Sequence, residues 1–191
     1  MAKRASSPRA VPPAAKPLPP LPVKMIISGG QTGVDRAALE IAIELSIPHG
    51  GFCPRGRLAE DGPIPAHFLL KETESDRYYV RTECNVLYAE GTLILYRGRL
   101  SRGTTLTRKY AQRHRKPSLC VSLKPGREGP QIARIRTWLH ERRIQVLNIA
   151  GPRESSAVGI AAEAKNFLRQ LLVPPRPQSA AKKPAKSRKT K

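Results

Sequence analysis

The segment Ile26-Ile27-Ser28-Gly29-Gly30-Gln31-Thr32-Gly33-Val34-Asp35-Arg36 constrains the chain most. A β-branched run ends in Ser-Gly-Gly and passes at once into a helical pattern. Val34, Ala37, Ala38, Ile41, Ala42 and Leu45 recur at spacings of three and four, the apolar stripe of a helix packed on a sheet. Thr32 is the expected N-cap and Asp35 suits the first turn. The segment therefore reads as strand, glycine turn, helix. Glycines allow close backbone approach to a ligand, and the helix N-terminus offers free N–H groups to an anion. A plain turn without a ligand is the competing reading, because the full G-x-G-x-x-G pattern is absent.

Alternation of strand and helix continues. A first unit spans about 24–46, and His49-Gly50-Gly51-Phe52 reads as a very short strand. Residues 53–65 are too rich in Gly, Pro and charge for a regular element, and loops of that length are usually functional or disordered. Phe68-Leu69-Leu70 is expected to be a strand. A helix follows at about 76–88, with Tyr79, Thr82, Val86 and Leu87 on one side and Arg81 and Asn85 on the other. Strands are expected at 92–96, 118–121 and 145–150, and helices at about 102–114, 130–142 and after Ser155. The pattern predicts an α/β fold, a Rossmann-like three-layer sandwich with a mostly parallel sheet flanked by helices. In such folds ligands bind beyond the carboxyl ends of the strands.

The charge is unevenly spread. The net charge of the 191 residues is +21. Residues 1–24 carry five Lys and Arg and residues 173–191 carry seven, with no acid in either. Both segments are rich in Pro, Ala, Lys and Ser and are expected to be disordered tails around one domain, 25–172. Such tails would bind nucleic acid or another polyanion non-specifically. The Pro-x-x-Pro pieces of the first tail favour polyproline II. No apolar run reaches the ~20 residues of a membrane span. Cys53, Cys84 and Cys120 are widely spaced with no C-x-x-C pair, so neither a metal site nor a disulfide framework is expected, and a cytoplasmic location fits. Cys53 reads as a buried bystander rather than a soft metal ligand.

Three further polar clusters follow strands. Gly103-Thr104-Thr105 offers N–H groups and two hydroxyls to a phosphate, or merely caps a helix with a threonine. Gly151-Pro152-Arg153-Glu154-Ser155 offers a bidentate arginine, with Ser155 or Ser156 as the cap. Arg55, Arg57, Glu60 and Asp61 lie in one loop, either as a binding set for a charged heterocycle or as surface ion pairs. Arg81 and Asn85, four apart on a helix, would complete such a pocket. For acid–base chemistry the candidates are Glu60, Asp61 and Glu154, with no opposed pair evident and no G-x-S-x-G elbow.

With these motifs the chain resembles the molybdenum carrier family, a branch of the SLOG superfamily that also contains the cytokinin-activating LOG proteins. The matching motifs are the Ser28 to Arg36 segment, Cys53-Pro54-Arg55-Gly56-Arg57 to Glu60-Asp61-Gly62, Arg81-Thr82 with Asn85-Val86, Gly91-Thr92-Leu93-Ile94, Gly103-Thr104-Thr105-Leu106-Thr107, and Asn148 to Ser155. They occur in the family's order over residues 25–172. The resemblance implies a binding protein for a phosphorylated heterocycle, either molybdenum cofactor (molybdopterin) or a nucleotide. It also implies a molybdoenzyme as a candidate recipient and a homo-oligomer as a candidate state. The implied ligand-binding set is Gly29, Gly30, Gln31, Thr32, Asp35, Arg36, Arg55, Arg57, Glu60, Asp61, Arg81, Asn85, Gly91, Thr92, Gly103, Thr104, Thr105, Gly151, Arg153, Glu154 and Ser155. The chain departs from the family at Ala89-Glu90, where members show Ser-Asp, and at Arg102, where members show Gly. The Pro-Gly-Gly-x-Gly-Thr-x-x-Glu motif of LOG proteins is absent, so their phosphoribohydrolase activity does not carry over directly. A nucleotide-processing enzyme is the alternative reading.

Overall fold

The computed structural model describes residues 19–173. In chain order the elements are β1 (Met25–Ile27), α1 (Val34–Glu44), β2 (His49–Gly50), β3 (Phe52–Cys53), β4 (Leu58–Ala59), β5 (Gly62–Pro63) and β6 (Lys71–Glu72). They continue with α2 (Tyr78–Tyr88), β7 (Gly91–Tyr96), α3 (Arg102–Arg113), β8 (Ser118–Ser122), α4 (Glu128–Glu141), β9 (Val146–Ala150) and α5 (Ile160–Leu172). The assignment of residues 1–24 and 173–191 to disordered, polyanion-binding tails lies outside the described residues for 1–18 and 174–191; it is corrected at its inner end, where Leu21 and Val23 pack against the main core and Lys24 N–H donates to the Gln145 carbonyl.

The main sheet has the order β2-β1-β9-β7-β8 and every pairing is parallel. The last strand lies in the centre, where Ile27 and Thr92 both register with Asn148. One face is covered by α1, α4 and α5. Val34, Ile41, Ile135, Leu139, Phe167 and Leu168 close on Leu93, Leu95, Val121 and Ile149 there. The other face carries α2 and α3, joined through Val86, Tyr110 and Ala111. The three-layer parallel sandwich expected from the alternation is what the chain forms.

Residues 51–72 leave the main sheet. β3 pairs with β6 and β4 forms a two-residue hairpin with β5. Leu39 on α1 packs against Cys53, Ile64, Phe68 and Leu70, so this excursion has its own small core. Arg57 holds it together. Its guanidinium donates to the carbonyls of Ile64, Pro65, Phe68 and Leu70, and its backbone sits in the left-handed region at φ 52°.

Several sequence expectations are corrected. Phe68–Leu70 is not a strand: Phe68 plugs the small core, Leu69 is exposed, and pairing begins at Lys71. Tyr79 and Leu87 do not face inward; they are 51% and 46% exposed, and the buried residues of α2 are Asn85 and Val86. Thr32 does not cap α1. The N-cap is Gly33, at φ 76°, where a Cβ would lie 2.4 Å from the Pro152 carbonyl. Neither Thr104 nor Thr105 caps α3. Ser101 does, its Oγ accepting from the Thr104 N–H, while Thr104 is buried inside the first turn. Ser155 and Ser156 do not cap α5. The N-cap is Gly159, and the Glu154 carboxylate accepts from the N–H groups of Gly159 and Ala161.

Candidate functional site

The loops after β1 and β9 are bound to each other before they meet anything else. Ser28 Oγ donates to the Ile149 carbonyl at 2.7 Å, and Val34 N–H donates to the Pro152 carbonyl at 3.2 Å. The Glu154 N–H donates to Thr32 Oγ1 at 3.1 Å. Gly151 permits this approach, since a Cβ there would lie 2.4 Å from Val34 Cγ2 and 2.6 Å from the Leu95 carbonyl. The two carboxyl strand ends are thereby fused into one platform.

Above it opens a cleft of about 400 Å³, within the ~300–1,000 Å³ range of small-ligand pockets. Gly29, Gln31 and Asp35 form one wall, Asn148, Ala150 and Gly151 the base. The first turn of α2 (Tyr78, Tyr79, Arg81, Thr82) faces the first turn of α3 (Arg102, Gly103) across it, and Arg153 and Ser155 close the rim. The only carboxylate in this lining is Asp35, against Arg81, Arg102 and Arg153. The lining therefore favours anions. The N–H groups of Arg102 and Gly103 at the start of α3 add to this, since the Ser101 cap takes only those of Thr104 and Thr105.

Asp35 and Arg81 form a buried pair. Arg81 Nη1 donates to Asp35 Oδ2 at 2.8 Å, with side-chain exposures of 13% and 5%. Burial pushes the Asp35 pKa above the ordinary carboxylate value, opposed by the Arg81 charge and by the N–H groups of Gln31 and Gly151. Gly29 makes room for this pair: a Cβ at that position would lie 1.3 Å from Arg81 Nη1. Arg81 Nε is buried without a partner. Gln31 is similarly poised. Its Oε1 accepts from Thr32 N–H and Glu60 N–H, both at 3.0 Å, and its Nε2 is buried with no partner.

Of the residues singled out from the sequence, the structure brings Gly29, Gln31, Asp35, Arg81, Asn85, Gly103, Gly151, Arg153 and Ser155 to this cleft. Asn85 is already occupied: its amide accepts from Phe52 N–H at 2.8 Å and donates to the Phe52 carbonyl at 3.0 Å, tying α2 to β3. The others lie elsewhere. Gly30 is covered by Leu70 and Ile64. Arg55 is exposed on the 51–72 excursion, and Arg57 is consumed by its four carbonyls. Gly91 and Thr92 begin β7 and are outside the lining: Gly91 packs under Ile144, and the buried Thr92, level with Ile27, accepts from Nδ2 of the cleft-base residue Asn148. Thr104 is turned into its helix and Thr105 is outside the lining.

The three acid–base candidates are also outside it. Glu154 caps α5. Asp61 takes a bidentate bond from Arg36, which holds its pKa below the usual range. Glu60 accepts from the hydroxyls of Thr32 and Ser155 and from Ser155 N–H, with Arg153 Nη1 at 3.6 Å. Burial would raise its pKa, but these bonds outweigh burial and lower it. These contacts make the loop 55–63 a clamp over the β1 and β9 turns.

Tyr78, Tyr79, Thr82, Ser101 and Asn148 line the cleft without having been singled out as site residues, and Arg102, marked in the sequence as a departure from the family, lines it too. Tyr78 and Tyr79 could have been found as the aromatic start of a helix facing strand ends, and Arg102 as the cation in its first turn. Among the described residues no group of three His, Cys, Asp or Glu could hold a metal ion. No helix among them is long and apolar enough to cross a membrane.

Residues 26–172 match the circularly permutated YpsA SLOG family. A solved structure titled "Putative molybdenum carrier protein", from Syntrophus aciditrophicus, is 42% identical, with a TM-score of 0.78 over 80% of this chain and 97% of that one. No curated protein matches the chain. The strand-end platform, the Gly-Gly-Gln-Thr-Gly-Val-Asp-Arg turn and the match over nearly the whole domain agree, and the chain belongs to the circularly permutated YpsA SLOG family.

Proposed function

We propose that the cleft binds a small phosphorylated heterocycle, of molybdopterin or nucleotide type, as a carrier or sensor. The observation that supports this most is its charge and shape: three arginines and a helix N-terminus converge on a 400 Å³ cleft holding one already paired carboxylate. The phosphate would lie between Arg102, Arg153 and the α3 first turn, where Arg102 has no carboxylate partner among the described residues and Arg153 only a long one, Glu60 at 3.6 Å. The ring would lie beside the exposed Tyr78 and Tyr79, with the Arg153 guanidinium already over one face of Tyr78 at 5.8 Å from its centroid. The solved relative is titled a molybdenum carrier, and a molybdenum-bearing cofactor would be held here as cargo, through its phosphate and ring rather than by protein ligands to the metal.

Native mass spectrometry of the protein purified without added ligand, followed by release of bound species, is the direct test. A pterin or nucleotide that leaves with Arg102→Ala or Arg153→Ala is the expected result. Charge-assisted hydrogen bonds contribute about 1.5–3 kcal/mol each, so each variant should bind about tenfold more weakly or worse. Unchanged affinity in both variants would remove this cleft as the site.

A further inference from the structure

A second charged surface lies away from the cleft. Residues 91–127 contain ten Lys and Arg, nine of them besides Arg102 of the cleft, and no Asp or Glu. They form β7, α3 and β8, and β8 is the free edge of the main sheet. Arg108 and Lys109 on α3, Arg115 just beyond it, and Arg127 and Arg134 on or beside α4 are exposed. None of these five lies within ion-pair distance of a carboxylate among the described residues. The acids of α4, Glu128 and Glu141, sit at its two ends.

α3 and α4 lie on opposite faces of the sheet and flank its free edge, so their cations border β8 from both sides. Cys120, on β8, has its thiol pKa raised by burial and lowered in part by both Arg108 and Arg134. A residue of the edge strand is thus within electrostatic reach of α3 on one side and α4 on the other.

The chemistry of the face narrows its partner. Protein interfaces need an apolar or aromatic centre, and surface-bound membrane helices need an apolar face to insert. The exposed large hydrophobics of the described residues are Ile43, Leu58, Leu69, Tyr78, Tyr79, Leu87, Tyr88, Val158 and Val173, and none falls between residues 91 and 143. A second copy of the same face would meet it with like charge. What remains is a dense polyanion contacted through its backbone, which needs cations and no anchors. We infer that the α3–β8–α4 edge is a nucleic-acid-binding face that reads phosphates without reading sequence. It is separate from the cleft, and from any binding by the chain termini.

The test is fluorescence anisotropy of a short labelled DNA duplex of mixed sequence with the full chain, repeated over a series of KCl concentrations. Arg108→Ala/Lys109→Ala/Arg134→Ala should bind at least tenfold more weakly. Its plot of log affinity against log salt should be shallower by about three, roughly one for each phosphate no longer neutralised. A full-length variant with Lys182, Lys183, Lys186, Arg188, Lys189 and Lys191 changed to serine should keep this dependence on the face. If the triple variant melts early, Arg108→Gln/Arg134→Gln carries the same test with a slope change of about two. Wild-type affinity and slope in the face variants would overturn the inference. So would polyglutamate or phosphatidylserine vesicles binding the face as tightly as the duplex does at equal salt.

Discussion

Replacing Gly29 by alanine tests the Gly29–Asp35 wall of the cleft with a single methyl group. The new Cβ would lie 1.3 Å from Arg81 Nη1 and 2.9 Å from Asp35 Oδ2. Arg81 is long and can swing away, so the steric cost is small; the ion pair is what is lost. Removing one partner from a buried pair costs about 3–5 kcal/mol. Arg81 keeps some exposure and finds water in the cleft, so the lower end, about 3 kcal/mol, is expected. For a chain of this size that lowers Tm by about 6–12 °C. The deficit should also depend on pH. Without the Arg81 cation, burial raises the Asp35 pKa further than it already is. A carboxyl whose folded pKa exceeds its unfolded value, about 4, binds its proton more tightly when folded. Its contribution is most favourable below that value and is lost as pH rises through the folded pKa. The Gly29→Ala deficit, measured against wild type by thermal melting, should therefore be small near pH 4 and grow towards neutrality. Adding Asp35→Asn should recover much of it. A deficit that does not vary with pH, together with additive effects of the two substitutions, would refute the assignment of this wall to the buried pair.

Glu154→Ala should lower stability by about 1–2 kcal/mol through loss of the α5 cap, with Glu154→Gln closer to wild type, and should leave ligand affinity unaltered; calorimetry and binding titrations separate the two. Arg57→Ala leaves four carbonyls without their donor, so limited proteolysis should cut between residues 58 and 70 far faster than in wild type, and equal rates would argue against the staple. The lowered pKa values of Glu60 and Asp61 mean that the clamp contributes stability above the ordinary carboxylate value and loses it as pH falls through the folded pKa values. Acid titration of Glu60→Gln/Asp61→Asn should show a weaker decline below about pH 4 than wild type shows.

The strand–turn–helix rhythm was legible because it is local: the β-branched run at 26–27, the stripe from Val34 and the apolar runs at 92–96 and 146–150 each sit within one element. The helix starts misled for a related reason. Thr32, Thr104 and Ser155 are good caps by type, but the cap is decided by which neighbour reaches the free N–H groups. At α5 that neighbour is Glu154, five residues before Gly159, and at α1 the turn is fixed by Pro152 from the far end of the chain. The arginines show the same limit. Arg57 and Arg153 look alike in sequence, yet one is held under its own loop and the other faces the cleft. Only the fold of residues 51–72 distinguishes them. Tyr78 and Tyr79 were hidden by periodicity, since α2 packs through Asn85 and Val86 rather than through its most apolar stripe.

The position of β9 also bears on how the chain is made. This strand is the last of the main sheet to leave the ribosome, yet it separates β1 from β7. Until residues 146–150 emerge, the earlier strands exist as two pairs, β1 with β2 and β7 with β8, whose inner edges have nothing to bond. The nascent chain therefore carries the β1 edge unpaired from the emergence of β2 until β9 emerges, with the β7 edge joining it only after residue 96, and its sheet closes in one late step of high sequence separation, the kind of step that slows folding and favours chaperone capture.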